Sequence, residues 1–230
     1  DPIMAATFKH IGERVRNGGT SEYEIQRWIL ATFERDGIDV DESPIVGVNA
    51  NSGNPHYSPS PETSKPIRKG DFVLLDMWGK KKIPNSVYYD ITWMAFCGDE
   101  VPAPMREAFS VVVGARDAGI RLVREAIAAS RTLRGFEVDD AVSGHIESCR
   151  MGAYIRHRTG HSIGREVHGV GANMDNMETH DERPVIPWTC FSIEPALYLP
   201  DFGVRTEINL FVGEHEARVT GEMQTEFVRL

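Results

Sequence analysis

At 230 residues and 41% hydrophobic composition, the chain suffices for one large α/β or α+β domain with an ample core. A net charge of −9 and a pI near 5.4 argue against non-specific nucleic-acid or anionic-membrane binding, both of which need a basic surface; the expected partner is small or peptidic. No run reaches the roughly 18 to 20 apolar residues of a membrane span, and no basic region followed by a hydrophobic stretch opens the chain.

Residues 3–16 place Ile3, Met4, Phe8, Ile11 and Val15 on one helical face, which Gly18-Gly19 closes. In the next helix Ser21 and Glu24 form a capping box, Ile25, Trp28, Ile29 and Phe33 make the apolar stripe, and Gly37 marks the C-terminal end. Residues 45–50 read as a short strand, and 51–70, rich in Asn, Ser, Pro and Gly, as a loop. FVLLDMWG (72–79) and VYYDITWMAF (87–96) read as buried strands paired around the KKKIPN turn. From Pro104 to Ser130 apolar residues recur at helical spacing, with Arg116 the one charged residue on that face. A shorter helix is expected over 138–150, and both should cover the sheet. FSIEPALYL (191–199) and VRTEINLFV (204–212) form a second strand pair around a turn with Pro200 and Gly203. Helices followed by a hairpin thus occur twice, a weak structural repeat.

Each hairpin carries two carboxylates in apolar company: Asp76 and Asp90, separated by 14 (90 − 76), and Glu194 and Glu207, separated by 13 (207 − 194). An unpartnered buried carboxylate costs several kcal/mol, so such groups are paired, protonated or metal-bound. Four of them with His161 make a hard to borderline donor set suited to Mn²⁺, Co²⁺, Fe²⁺ or Zn²⁺. Two divalent ions would balance four negative charges, and ions about 3.5 to 4 Å apart can share a bridging hydroxide nucleophile. Taken singly, Asp76 reads as a turn cap and His161 as a structural histidine; the set of five changes the reading. Cys97, Cys149 and Cys190 are odd in number and form no CxxC pair, which fits reduced thiols in the cytoplasm.

The run HRTGHSIGREVHG (157–169), with IEP at 193–195, GVRTE at 203–207, DMWG at 76–79 and YDIT at 89–92, resembles the pita-bread metallopeptidases, among them methionine aminopeptidase, aminopeptidase P and prolidase. The resemblance covers nearly the whole chain. It implies the α+β pita-bread fold, a pseudo-twofold repeat of helices plus antiparallel hairpin around a curved sheet, as one domain over residues 1–230. Asp1 in place of Met suggests a trimmed piece and an absent upstream domain. VNANSGNPHY (48–57) and Arg205 before the last Glu look like the proline-directed members. The resemblance therefore implies hydrolysis of an Xaa-Pro bond in dipeptides or at the N-terminus of short peptides, two divalent metals with manganese foremost, and a homodimer.

Carried over by position, Asp76 holds one metal, Asp90 and Glu207 bridge both, and His161 with Glu194 completes the other. Glu194 shuttles the proton, His168 steadies the oxyanion, His56 positions the residue around the cleaved bond, and Arg205 lines the substrate pocket or neutralises the acidic cluster. His10, His145, His157, His180 and His215 are read as structural or surface residues. Because His161 ligates only when neutral, metal affinity and activity should fall below roughly pH 6. Departures from the family pattern are the long Asp76 to Asp90 stretch with its KKK turn, Trp93-Met94, Arg165-Glu166 and Ala196. Rival readings are a methionine-type or general aminopeptidase, a small-molecule hydrolase or lyase, and a protein-binding pseudo-peptidase, which retention of all five ligands disfavours.

Overall fold

The computed structural model describes residues 2–230. The first half runs α1 (Pro2–Arg16), β1 (Thr20–Ser21), α2 (Glu22–Arg35), β2 (Ile38–Asp39), β3 (Ile45–Val48), β4 (Pro66–Ile67), β5 (Phe72–Lys81) and β6 (Tyr89–Phe96). The second runs α3 (Ala103–Ala128), α4 (Gly135–Ser148), β7 (Ser162–Ile163), β8 (Thr189–Ile193), β9 (Ala196–Tyr198), β10 (Gly203–Arg205), β11 (Ile208–Val212), β12 (Ala217–Thr220) and β13 (Val228–Arg229). Gly18 and Gly19 end α1 with φ of 117° and 102°, and the Ser21–Glu24 box caps α2 as the sequence predicts. The helix pair and hairpin recur, matching the expected repeat.

In the first sheet β5 pairs antiparallel with β2, β3 and β6, and β13 adds parallel to β6. The second sheet is antiparallel in the order β12, β11, β8, β7. Strand alternation separates the faces of β5 and β6. Val73, Leu75 and Met77 pack with Met4, Phe8, Ile25 and Ile29 beneath α1 and α2. Leu74 and Met94 join Phe109, Val112, Val142, Phe191 and Ile208 beneath α3 and α4. Asp76 lies opposite Thr92, and Trp78 opposite Asp90. Asp76, Asp90 and Thr92 therefore share the face turned toward the second half.

The Glu-bearing strands are not the unbroken pair expected. Residues 191–199 divide into β8 and β9, and 204–212 into β10 and β11, with the breaks at Glu194-Pro195 and Thr206-Glu207. Pro195 has no N–H for a ladder. The Glu194 N–H donates instead to the Thr159 carbonyl at 2.8 Å, and the Glu207 N–H to the Thr92 carbonyl at 3.1 Å. These diverted bonds bend the hairpin at its two carboxylates.

The halves meet along β6. The Asn209 side chain accepts from the Asp90 N–H at 3.1 Å and donates to the Asp90 carbonyl at 2.5 Å. Gln224 grips Met94 in the same way, at 2.8 and 2.6 Å. At residues 90 and 94 side-chain amides thus replace a neighbouring strand, and at 92 the Glu207 N–H does so directly. Asn209→Ala would orphan both backbone groups of Asp90; it should destabilise by about 2 to 4 kcal/mol. Urea denaturation checks this, and a loss under ~0.5 kcal/mol would contradict the seam's role.

Candidate metal centre

Five elements deliver the predicted residues to one cleft of about 980 Å³. β5 and β6 bring Asp76 and Asp90, the 159–161 segment brings His161, and the two hairpin breaks bring Glu194 and Glu207. Gly160 lets the His161 segment lie on β8, since a Cβ there would stand 2.0 Å from the Ser192 carbonyl oxygen. His56, His168 and Arg205 line the same cleft. All eight candidate residues are therefore gathered, the histidines His56 and His168 being exposed and Arg205 buried.

Asp90, His161 and Glu207 each place one donor atom so that all lie within 4.8 Å of one another. His161 Nε2 stands 3.5 Å from Asp90 Oδ2 and 3.4 Å from Glu194 Oε1. Its Nδ1 meets the Ser162 carbonyl at 3.2 Å; a carbonyl only accepts, so Nδ1 carries the proton and Nε2 faces the acids. Ser192 Oγ donates to Glu194 Oε1 at 3.0 Å and accepts the His161 N–H at 2.9 Å, fixing two candidate ligands together.

Arg205 is the counterion of the cluster. Its guanidinium pairs with Asp76 Oδ2, donates to Thr92 Oγ1 at 3.0 Å and to the Tyr198 hydroxyl at 3.3 Å. Thr92 in turn donates to Glu207 Oε2 at 2.9 Å. One guanidinium cannot satisfy the cage. Among the described residues four buried side-chain nitrogen or oxygen atoms lack a partner, and three are Asp76 Oδ1, Asp90 Oδ1 and Glu207 Oε1. Buried acceptors without donors are costly. Three such oxygens on three candidate ligands are what a divalent cation would satisfy, so the residues fit a metal.

With protein charges alone, burial raises Asp76 to about 7, the negative Asp90 and Glu194 adding to it and Arg205 opposing. Burial likewise raises Asp90 against the pull of His161, and burial with Asp90, Glu194 and Asp76 raises Glu207 well above the usual range. Burial alone would lower His161, but its bond to Asp90 and the charge of Glu194 push it up to about 9. For Glu194 burial is outweighed by His161, His157 and Arg205, and its carboxyl is lowered. Protons therefore compete for this cage from a higher pH than a free imidazole suggests.

His157, read from sequence as structural or surface, lies in the cleft wall. Its Nδ1–H donates to the Arg158 carbonyl at 2.7 Å and its Nε2 accepts from Tyr198 at 2.8 Å. Burial lowers its pKa, so a neutral ring joins the Arg205–Tyr198 chain. Its place four residues before His161 was the available signal. Glu22 was also missed beyond its helix. Fully buried, it accepts from the N–H groups of Val48 and Lys65, the Asn51 amide and the Tyr57 hydroxyl, which fixes the loop bearing His56.

The sequence profile of metallopeptidase family M24 matches residues 2–214. The chain belongs to that family. It is 30% identical over 201 residues, 85% of this chain, to the Xaa-Pro dipeptidase of Lactobacillus delbrueckii subsp. lactis, of which the match covers 49%. The chain spans about half the length of the curated relatives it matches. The solved Xaa-Pro dipeptidase from Bacillus anthracis superposes with a TM-score of 0.80 at 27% identity, covering 100% of this chain and 60% of that one. The X-Pro aminopeptidase from Thermotoga maritima MSB8, at TM-score 0.81 and 24% identity over 100% of this chain and 60% of that one, supports the fold alone. The fold is the expected pita-bread fold. Among the described residues of this M24 member no helix is long and apolar enough to cross a membrane.

Asp76, raised from 3.8 to about 7, and His161, raised from 6.5 to about 9, bind protons in the folded state that the unfolded chain has released. Raised Asp90 and Glu207 act in the same sense, whereas lowered Glu194 opposes at acid pH and the lowered His157 and His168 oppose up to about neutrality. Stability of the chelator-stripped protein should therefore fall as pH rises from about 7 to about 9. Added Mn²⁺ should raise Tm more at about pH 8 than at about pH 6. Thermal scans at several pH values measure both; a flat stripped profile would contradict the charge balance described.

Proposed function

We propose that the chain holds, in a single catalytic domain, the active site of a metal-dependent peptidase that hydrolyses the Xaa-Pro bond of dipeptides or at the N-terminus of short peptides. The observation that carries this reading is the convergence of Asp76, Asp90, His161, Glu194 and Glu207, three of them with an orphaned buried oxygen, in a peptide-sized cleft. The Xaa-Pro dipeptidase among its relatives supports the proline preference. Three free thiols suit a reducing compartment such as the cytoplasm.

In this reading Asp76 would hold one ion, Asp90 and Glu207 both, and His161 with Glu194 the other, manganese being the first choice and cobalt, zinc or iron the alternatives. When bound, such ions would supply Lewis acidity at the scissile carbonyl and lower the pKa of a bound water toward ~7. The Ser162 carbonyl keeps His161 Nε2 turned to the cage. Glu194, held by Ser192, takes the proton of the attacking water and hands it to the departing proline nitrogen, which leaves as a secondary amine. His168, its ring 4.4 Å from that of His161 and its pKa lowered first by partial desolvation, donates an N–H to the developing oxyanion. His56 contacts substrate from the loop that Glu22 fixes, and Arg205 holds Asp76 while lining the pocket.

The stripped protein, reloaded separately with Mn²⁺, Co²⁺ or Zn²⁺, should cleave Ala-Pro and Xaa-Pro tripeptides and leave Met-Ala peptides nearly untouched. Absence of metal-dependent cleavage of every peptide would end the peptidase reading, and preference for Met-Ala would end the proline assignment. His168→Ala should lower kcat about 10²-fold at unchanged metal content; metal analysis alongside steady-state kinetics separates the two effects.

A further inference from the structure

Arg116 stands on the buried face of α3 with none of its surface exposed. A guanidinium in such a place is difficult to desolvate, and an apolar side chain of similar volume would fill the space without that cost. Its acidic neighbour, Asp117, meets Nε and Nη2 at 3.0 and 2.9 Å but is itself half exposed. The remaining donor, Nη1, divides between two segments: Thr206 Oγ1 at 3.1 Å and the Gln224 carbonyl at 2.6 Å.

Both targets bear on the cage. Thr206 lies between Arg205, the counterion of Asp76, and Glu207, whose Oε1 is orphaned. Gln224 grips the backbone of Met94 on β6, the strand that carries Asp90. One planar donor thus touches the break that presents Glu207 and the segment clamped to the opposite carboxylate hairpin. The charges that weigh most on Glu207 are those of Asp90, Glu194, Asp76 and Arg205, so Arg116 acts through position.

We propose that Arg116 is a positioning residue of the metal centre: it sets the register of the Glu207-bearing break against β6 and so fixes the spacing of the carboxylates from the two hairpins. This rests on the metal reading above. Groups that orient ligands typically contribute 10- to 100-fold to metal affinity.

The test measures Mn²⁺ affinity by competition with a chelator, and the visible spectrum of the Co²⁺-loaded protein, for the parent, Arg116→Met and Thr206→Val. Ile25→Val, in the core beneath α1 and α2 away from the cage, controls for lost stability. Arg116→Met and Thr206→Val should each weaken Mn²⁺ binding about tenfold or more and shift the Co²⁺ bands. The double variant should be little worse than either single, and Ile25→Val should bind as the parent does. If folded Arg116→Met binds Mn²⁺ within twofold of the parent with an unchanged Co²⁺ spectrum, the proposal is overturned. Should Arg116→Met not fold, Thr206→Val decides by the same criterion, because it keeps the guanidinium on Gln224 and cuts only the link to the ligand-bearing segment. A parent that binds no divalent cation would instead defeat the metal reading itself.

Discussion

Asp76, Asp90, Glu194 and Glu207 bring four carboxylates into a space whose closest cationic contacts are Arg205 and His161. Mutual repulsion and lost hydration both work against that arrangement. The raised Asp76, Asp90 and Glu207 pKa values and the three orphaned oxygens are two expressions of one deficit of positive charge. The cage cannot hold itself together. Its geometry has to be imposed by groups outside it.

Those groups lie along β6. A full backbone ladder would hold the neighbouring chains about 4.8 Å apart throughout. Here, before β13 joins β6 at Ala95 and Phe96, backbone contact across the seam is made at Thr92 by Glu207, while the Asn209 and Gln224 side chains span the gap at Asp90 and Met94. Arg205 ties Asp76, Thr92 and Tyr198 on the cleft side, and Arg116 ties Thr206 and Gln224 on the α3 side. The Thr206-Glu207 break is therefore flanked by guanidinium groups on adjoining sides. One offsets charge, and the other holds position.

Much of this was legible in the sequence. Short apolar runs and helical spacing located both hairpins and all four helices, because each reports a local pattern of burial. The five cage residues were legible because a carboxylate in an apolar strand is an anomaly that needs a partner. The hairpin breaks were not, since the N–H groups of Glu194 and Glu207 go to Thr159 and Thr92, far away in the chain. Nothing local marks Asn209 within INLFV, because its partner lies 119 residues earlier. Arg116 was visible as a charge on an apolar helix face, but a helical pattern does not name what that charge meets. His157 was passed over because one ring nitrogen is satisfied locally and the other by Tyr198, in another hairpin.

The cleft wall divides the labour between the halves in a way the ligand set does not. His56 rides on a loop whose backbone and side chains converge on Glu22 of α2. His168 belongs to the second half, yet the segment leading to it is tied to the first: the Tyr88 N–H donates to the Gly164 carbonyl at 2.9 Å and Lys80 to the Arg165 carbonyl at 2.7 Å. Tyr88 also packs with Ile163 and Val167. The long basic hairpin that departs from the family pattern thus abuts the approach to His168. Both exposed cleft histidines are braced by first-half elements, whereas the cage draws on both halves. In the proposed reading, changes in the 80–88 turn would bear on His168 through the Gly164 and Arg165 carbonyls, so the first half would share in positioning the peptide.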